Sequence, residues 1–240
     1  MCREPKGYPV RRGFAVLSQA LWNTGSPAFA GDDSEAGDDS EMQHRVSNIP
    51  ANSSKADLRS AALAKRDALS SEHCVAAAEA IALRGLPFEI ARAAVVAGYS
   101  PIRSEIDPAP LLRKLAAQGA QLALPAIAAR GQSLRFRAWH PGEKLLRGPL
   151  GILEPSPAAA DIIPDIVLVP LAAFDRAGHR IGYGAGHYDR TLAQLRKSRA
   201  ITAIGLAFAA QQVKAVPALQ HDVALDYVLT ETQLFDFRSS

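Results

Sequence analysis

From position 55 onward, apolar residues recur first at helical spacing and then in short unbroken runs, and the two patterns alternate. An alanine-rich helical pattern covers residues 55–69, with Ser54 placed as its N-cap and Asp57 three residues on. A second helix is predicted over 71–83, and an amphipathic one over 107–118 that stops at Gly119. The runs at 95–99 and 121–125 read as buried strands, the latter ending at Pro125. Residues 134–139 alternate Leu-Arg-Phe-Arg-Ala-Trp, the period of a half-buried strand. The apolar run at 166–170 predicts a central parallel strand. A turn is expected between Asp175 and Gly178, a helix over 186–196, and strands at 202–207 and 227–230. Such alternation predicts an α/β layer fold around one main sheet. Ligands of these sheets collect at the carboxyl ends of the strands.

Residues 1–53 break the pattern. Gly-Asp-Asp-Ser-Glu occurs at 31–35 and again at 37–41, and few residues there can support a core. A disordered or weakly structured extension is expected over 1–53, followed by a single folded domain over 54–240. Arg11-Arg12, the stretch to Trp22 and Ala28-Phe29-Ala30 faintly imitate an export signal, but Ser18, Gln19 and Pro27 interrupt it. No apolar run approaches the roughly 18 residues of a membrane span. Two cysteines, Cys2 and Cys74, make no disulfide framework and no CxxC pair, which fits a reducing cytoplasm. The formal charge is +3 and uneven: residues 1–50 hold 5 basic and 7 acidic side chains, the remainder 22 and 17. That excess suits anionic small molecules. With aromatic residues scattered at 6%, it is too diffuse for a nucleic-acid surface.

The chemistry concentrates at Arg180-Ile-Gly-Tyr-Gly-Ala-Gly-His-Tyr-Asp-Arg190. Glycines at 182, 184 and 186 let backbone approach a ligand closely. Backbone N–H groups leading into a helix form an anion site, and Asp189 in the first turn is placed to hold a magnesium ion on phosphates. The spacing is neither the dinucleotide fingerprint, which needs a glycine where His187 stands, nor a Walker A loop, which needs a lysine. Lys55 and Arg59 share one helix face and can clamp phosphates, although a solvated basic face is the plainer reading of that pair alone. Glu105 follows a strand end, where it either caps the next helix or accepts hydrogen bonds from a polar heterocycle. Asp222 is a turn residue or a second metal contact. His44, His73, His140 and His179 have no metal-ligand spacing, and no Gly-x-Ser-x-Gly elbow is present.

Several motifs in order, from Lys55-Ala-Asp-Leu-Arg59 through Glu105-Ile-Asp107, Leu124-Pro125 and Gly151-Ile-Leu-Glu-Pro155 to the segment 168–190 and Asp222, closely resemble the 5-formyltetrahydrofolate cyclo-ligase family over roughly residues 54–230. The resemblance implies a three-layer α/β/α domain on a mixed, mostly parallel sheet, similar to the fold of sugar-phosphate isomerases and CoA transferases. It also implies a ligase that uses ATP and Mg2+ to close 5-formyltetrahydrofolate to 5,10-methenyltetrahydrofolate, releasing ADP and phosphate. Carried onto this chain, Lys55, Arg59, Arg180, Ile181, Gly182, Tyr183, Gly184, Ala185, Gly186, His187 and Tyr188 would touch ATP. Ser100, Glu105 and the stretch from Tyr183 to His187 would line the folate site. Asp189 and Asp222 would hold Mg2+, and Arg180, Tyr188 and Asp189 would stand at the reacting groups. A cytoplasmic monomer is expected. Many relatives carry Gly-Tyr-Tyr-Asp where this chain has Gly186-His187-Tyr188-Asp189, so one planar ring replaces another. The alternatives are an isomerase or CoA transferase, separated by ATP-dependent turnover, and a nucleotide-binding protein without turnover.

Overall fold

The computed structural model describes residues 54–127, 129, 131–220 and 222–238; the expectations for 1–53 and for Cys2 lie outside them. The chain runs α1 (Lys55–Asp67), α2 (Ser71–Arg84), β1 (Val95–Ala97), α3 (Ala109–Ala117), β2 (Gln121–Ala126) and β3 (Arg135–Ala138). Two short hairpin strands follow, β4 (Leu146–Arg147) and β5 (Leu153–Glu154), then β6 (Ile166–Pro170). A second hairpin, β7 (Ala173–Phe174) and β8 (Arg180–Ile181), leads to α4 (His187–Ser198). The chain closes with β9 (Thr202–Leu206), a 3-10 turn at Ala209–Gln211, β10 (Tyr227–Leu229) and β11 (Leu234–Asp236).

Seven strands form the main sheet in the order β11-β10-β9-β6-β1-β2-β3. The five inner strands are parallel, and β3 and β11 are antiparallel edges. Every inner strand is apolar on both faces because both are covered. Val96, Leu122, Leu124, Ile166, Leu168, Ile204 and Leu206 pack with α2 and α3 on one side. Their alternates Ala97, Ala123, Val167, Val169 and Ala203 pack with Leu192 of α4 and Phe174 on the other. This is the expected three-layer arrangement on a mixed, mostly parallel sheet. Gly205 marks how tight the second layer is: a Cβ there would lie 2.7 Å from Leu171 and from Leu225.

Starts and stops follow local chemistry. Ser54 Oγ accepts from the Asp57 N–H at 3.2 Å while Asp57 Oδ2 accepts from the Ser54 N–H at 3.1 Å, a complete capping box. Gly119, at φ +96°, follows the end of α3 where the sequence predicts the stop. The turn expected at Asp175–Gly178 joins β7 to β8, and Gly178 (φ +82°) sits there against Phe237. Asp175 is buried, its Oδ1 accepting from the Ala177 and His179 N–H groups and its Oδ2 from the Val216 N–H. The two hairpins and β11 are not legible in the sequence pattern; the hairpin strands of two residues are too short to carry a period.

Candidate active site

Along the chain, β1 leads through α3 to β2 on one side of the sheet, while β6, β9 and β10 build the other side. The reversal falls between β1 and β6, and a crevice opens there beyond the carboxyl ends of the strands. A cavity of about 790 Å³ occupies it, reached by Ser100 after β1, Pro125 of β2 and Pro170 of β6. All of the sequence-predicted site residues line this one cavity: Lys55, Arg59, Ser100, Glu105, the stretch 180–189 and Asp222.

Helix α1 reaches the cavity because Leu58 and Ala62 pack on Ala172, Ala173 and Ile181 of the β7–β8 hairpin. The same helix then presents Lys55 and Arg59 to the loop. Arg59 Nε donates to the Gly182 carbonyl at 2.7 Å, and Lys55 pairs with Asp222. Within the loop the glycines differ. Gly184 (φ +93°) and Gly186 (φ +65°) occupy the left-handed region that disfavours a side chain, and Gly186 is the N-cap of α4. Gly182 does not; it leaves open space where a Cβ would project. Since Gly186 has no side chain to cap with, the first-turn N–H groups of α4 remain for a ligand, and the helix dipole favours an anion there. Arg190, whose guanidinium donates to the Ala185 carbonyl, adds a third cation to that wall.

Arg180 lies deeper. Its guanidinium donates to Asp189 Oδ1 at 2.8 Å and to the Val223 carbonyl, and its side chain is 5% exposed. Burial lowers its pKa, opposed chiefly by the charges of Asp189 and Asp222. Asp189 Oδ1 also accepts from the Val223 N–H at 3.2 Å, so this residue ties the start of α4 to the segment carrying Asp222. The two hydrogen bonds made to Asp189 both fall on Oδ1, and those described at Asp222, from Lys55 and the Leu219 N–H, both fall on Oδ2. Among the described residues, no group of three or more acidic, His or Cys side chains gathers as a self-sufficient metal cage.

The other end of the cavity is apolar, walled by Leu134, Leu150 and Ile152, with a few polar groups set into it. Glu105 Oε2 accepts from the Ile102 N–H at 2.9 Å, whereas Oε1 is buried without a hydrogen-bond partner. The N-terminus of α3 is served instead by Asp107, which accepts from the Ala109 N–H at 2.9 Å, so the capping reading of Glu105 is not the one realised. Burial raises the Glu105 pKa, against the opposing effects of the Ile102 N–H, the Tyr183 hydroxyl and the Arg66 charge. Burial likewise pushes Tyr183 up to about 12 and Tyr188 further, so both phenols keep their protons at neutral pH. His187 Nδ1 lies 2.7 Å from the Gln132 carbonyl, and its Nε2 is buried without a partner. Ser100 Oγ donates to the Leu153 carbonyl at 2.8 Å, fastening the β4–β5 hairpin to the rim.

Sequence reasoning missed two parts of this site. The apolar wall is assembled from segments far apart along the chain, so no local pattern announces it. Arg66 stands behind Tyr183 at 1% exposure. A signal for it existed, because residue 66 is seven positions after Arg59 and therefore on the same face of α1.

Residues 51–231 match the model of the 5-formyltetrahydrofolate cyclo-ligase family. A 5-formyltetrahydrofolate cyclo-ligase of Mycolicibacterium smegmatis is 36% identical over 188 residues, spanning 74% of this chain and 93% of that relative. The Escherichia coli cyclo-ligase is 31% identical over 153 residues, 62% of this chain and 84% of its own. Among solved structures, the 5,10-methenyltetrahydrofolate synthetase of Aquifex aeolicus superposes with a TM-score of 0.64 at 30% identity, covering 78% of this chain and 94% of that one. A synthetase from Mycoplasma pneumoniae, at 24% identity and a TM-score of 0.60, covers 75% and 99% and supports the fold. Motif order, sheet topology and these likenesses agree, and the chain belongs to the 5-formyltetrahydrofolate cyclo-ligase family.

Proposed function

We propose that this protein closes 5-formyltetrahydrofolate to 5,10-methenyltetrahydrofolate in an ATP- and Mg2+-dependent reaction that releases ADP and phosphate. One observation carries the reading: a single cavity joins an anion-binding helix start, ringed by Lys55, Arg59 and Arg190, to an apolar recess holding Glu105. The first end suits the phosphates of ATP. The second suits a flat heterocycle with hydrogen-bond donors on its edge. The formyl oxygen attacks the terminal phosphorus and ADP departs. The neighbouring folate nitrogen then attacks the formyl carbon and gives up its proton, and the C–O bond breaks to release phosphate.

The chain supplies position and charge rather than a nucleophile. Backbone N–H groups at the start of α4 and the α1 cations would hold the phosphates in line with the formyl oxygen. Tyr183 and Tyr188, with protons kept by burial, would donate to oxygens at the junction of the two substrates. Arg180 would act through Asp189, which it orients. Asp189 and Asp222 suit Mg2+, since that ion takes one or two carboxylates and completes its shell with phosphates and water. When bound it neutralises charge at the transferred phosphoryl group. The cysteine usage supports a cytoplasmic enzyme. None of the described helices is long and apolar enough to cross a membrane.

The test mixes purified protein with 5-formyltetrahydrofolate, ATP and Mg2+, and follows the methenyl absorbance. Product is expected only with all three present. Product that forms without ATP, or none from the complete mixture, would overturn the proposal.

A further inference from the structure

Thr191 sits one turn into α4 at 2% exposure, and its hydroxyl is committed on two sides. Oγ1 donates to the His187 carbonyl at 2.7 Å and accepts from the Leu134 N–H at 2.8 Å. Neither bond can reverse, because a carbonyl only accepts and a backbone N–H only donates. His187 makes a parallel connection: its Nδ1 lies 2.7 Å from the Gln132 carbonyl, so Nδ1 carries the proton. Residues 187 and 191 share one face of α4, and the groups they grip belong to residues 132 and 134, just ahead of β3. The result is a clasp between the start of α4 and the entry to β3.

The two elements so joined carry opposite ends of the cavity. Leu134 belongs to its apolar wall, and the first turn of α4 to its anion-binding end. Satisfying the buried Leu134 N–H takes only one of the two Thr191 bonds. The other passes the restraint to the residue that follows the Gly186 cap. A hydroxyl bonded to the carbonyl four residues back also bends a helix locally, so this side chain bears on where the first turn points.

Resting on the cyclo-ligase reading above, we propose that Thr191 is a positioning residue for phosphoryl transfer: by binding Leu134 and His187 together, its hydroxyl sets the folate wall against the phosphate-binding helix start, and so aligns the formyl oxygen with the terminal phosphorus. Thr191 itself lies behind the cavity wall, so each substrate binds without touching it. What it governs is their mutual alignment, to which such a transfer is sensitive over about 1 Å.

The test compares Thr191→Val, which keeps the shape and loses both bonds, with Thr191→Ser, which keeps both. Calorimetric titration with ATP and with 5-formyltetrahydrofolate, each alone, gives the two Kd values and counts the binding sites. Single turnovers with both substrates saturating and Mg2+ present then give the rate per site, free of slow product release. Thr191→Val is expected to lower that rate at least about 10-fold. Both Kd values should stay within about 3-fold of wild type, as when an interaction matters only on the way to the transition state. Thr191→Ser should restore the rate to within about 3-fold. The valine variant is also expected to melt earlier, because the Leu134 N–H loses its partner, but a merely structural role would leave the rate per site unchanged. Thr191→Cys, whose thiol makes both bonds weakly, is read by the same criteria if the valine variant does not fold. A wild-type rate per site in the valine variant, Kd values that weaken in step with the rate, or a serine variant as slow as the valine one would each overturn the inference. Wild-type protein without ATP-dependent turnover would instead remove the cyclo-ligase reading itself.

Discussion

Asp189 carries two duties at once, and they can be separated by measurement. As a partner of the buried Arg180 it holds the loop to the 222–223 segment; as a carboxylate beside the proposed phosphate site it is the proposed metal ligand. Asp189→Asn keeps an acceptor oxygen for both hydrogen bonds but loses the charge. The variant is expected to fold with a loss of about 1–2 kcal/mol, seen in urea melts, while Mg2+-dependent turnover falls far more. Wild-type turnover in that variant would remove Asp189 from the metal site. Glu105 makes a second residue-scale prediction. Its folded pKa lies above the ordinary 4.5, so the stability it contributes is present below that value and lost as pH rises through the folded pKa. Glu105→Gln should therefore melt near wild type at pH 4 and increasingly above it as pH climbs toward neutrality, then hold a constant gap. A gap independent of pH would show that Glu105 titrates normally.

Element by element, the site depends on two helix starts that solve the same problem in opposite ways. Helix α1 satisfies its own first turn with the Ser54–Asp57 box, which fixes where Lys55 and Arg59 emerge. Helix α4 begins at a glycine with no side chain to offer, and so keeps its N–H groups for a ligand. Ser54→Ala should destabilise the protein by about 1 kcal/mol and raise the KM for ATP, because the frayed turn carries Lys55. An unchanged KM alongside a lowered melting temperature would mean that Lys55 does not depend on the box. Both helix starts were legible in the sequence, as a Ser-x-x-Asp pattern and as a glycine before an apolar-periodic stretch. The β4–β5 hairpin was not, because its place over the cavity comes from Ser100 reaching the Leu153 carbonyl and Glu154 accepting from the Ile127 N–H across the fold.

For the molecule as a whole, the reversal of strand order between β1 and β6 decides where the candidate site sits, since loops from both halves of the sheet face one crevice there. The segment ahead of residue 51 falls before the family match and carries no core pattern in its sequence. Removing residues 1–50 is expected to leave turnover and melting temperature unchanged; a marked loss of either would show that the domain needs them.

The alternation of apolar runs and helical stripes, the capping residues and the glycine loop were written locally, because backbone sterics and side-chain periodicity act over a few neighbouring positions. They were enough for the layer architecture and the candidate ligands. Which residues stand behind those ligands was decided by tertiary packing. Arg180 became a buried partner of Asp189, Asp222 met Lys55 from 167 positions away, and Arg66 came to rest against Tyr183. Hydrogen bonds and burial between distant segments leave no periodic trace in the chain, and appear only when the sheet brings those segments to one end.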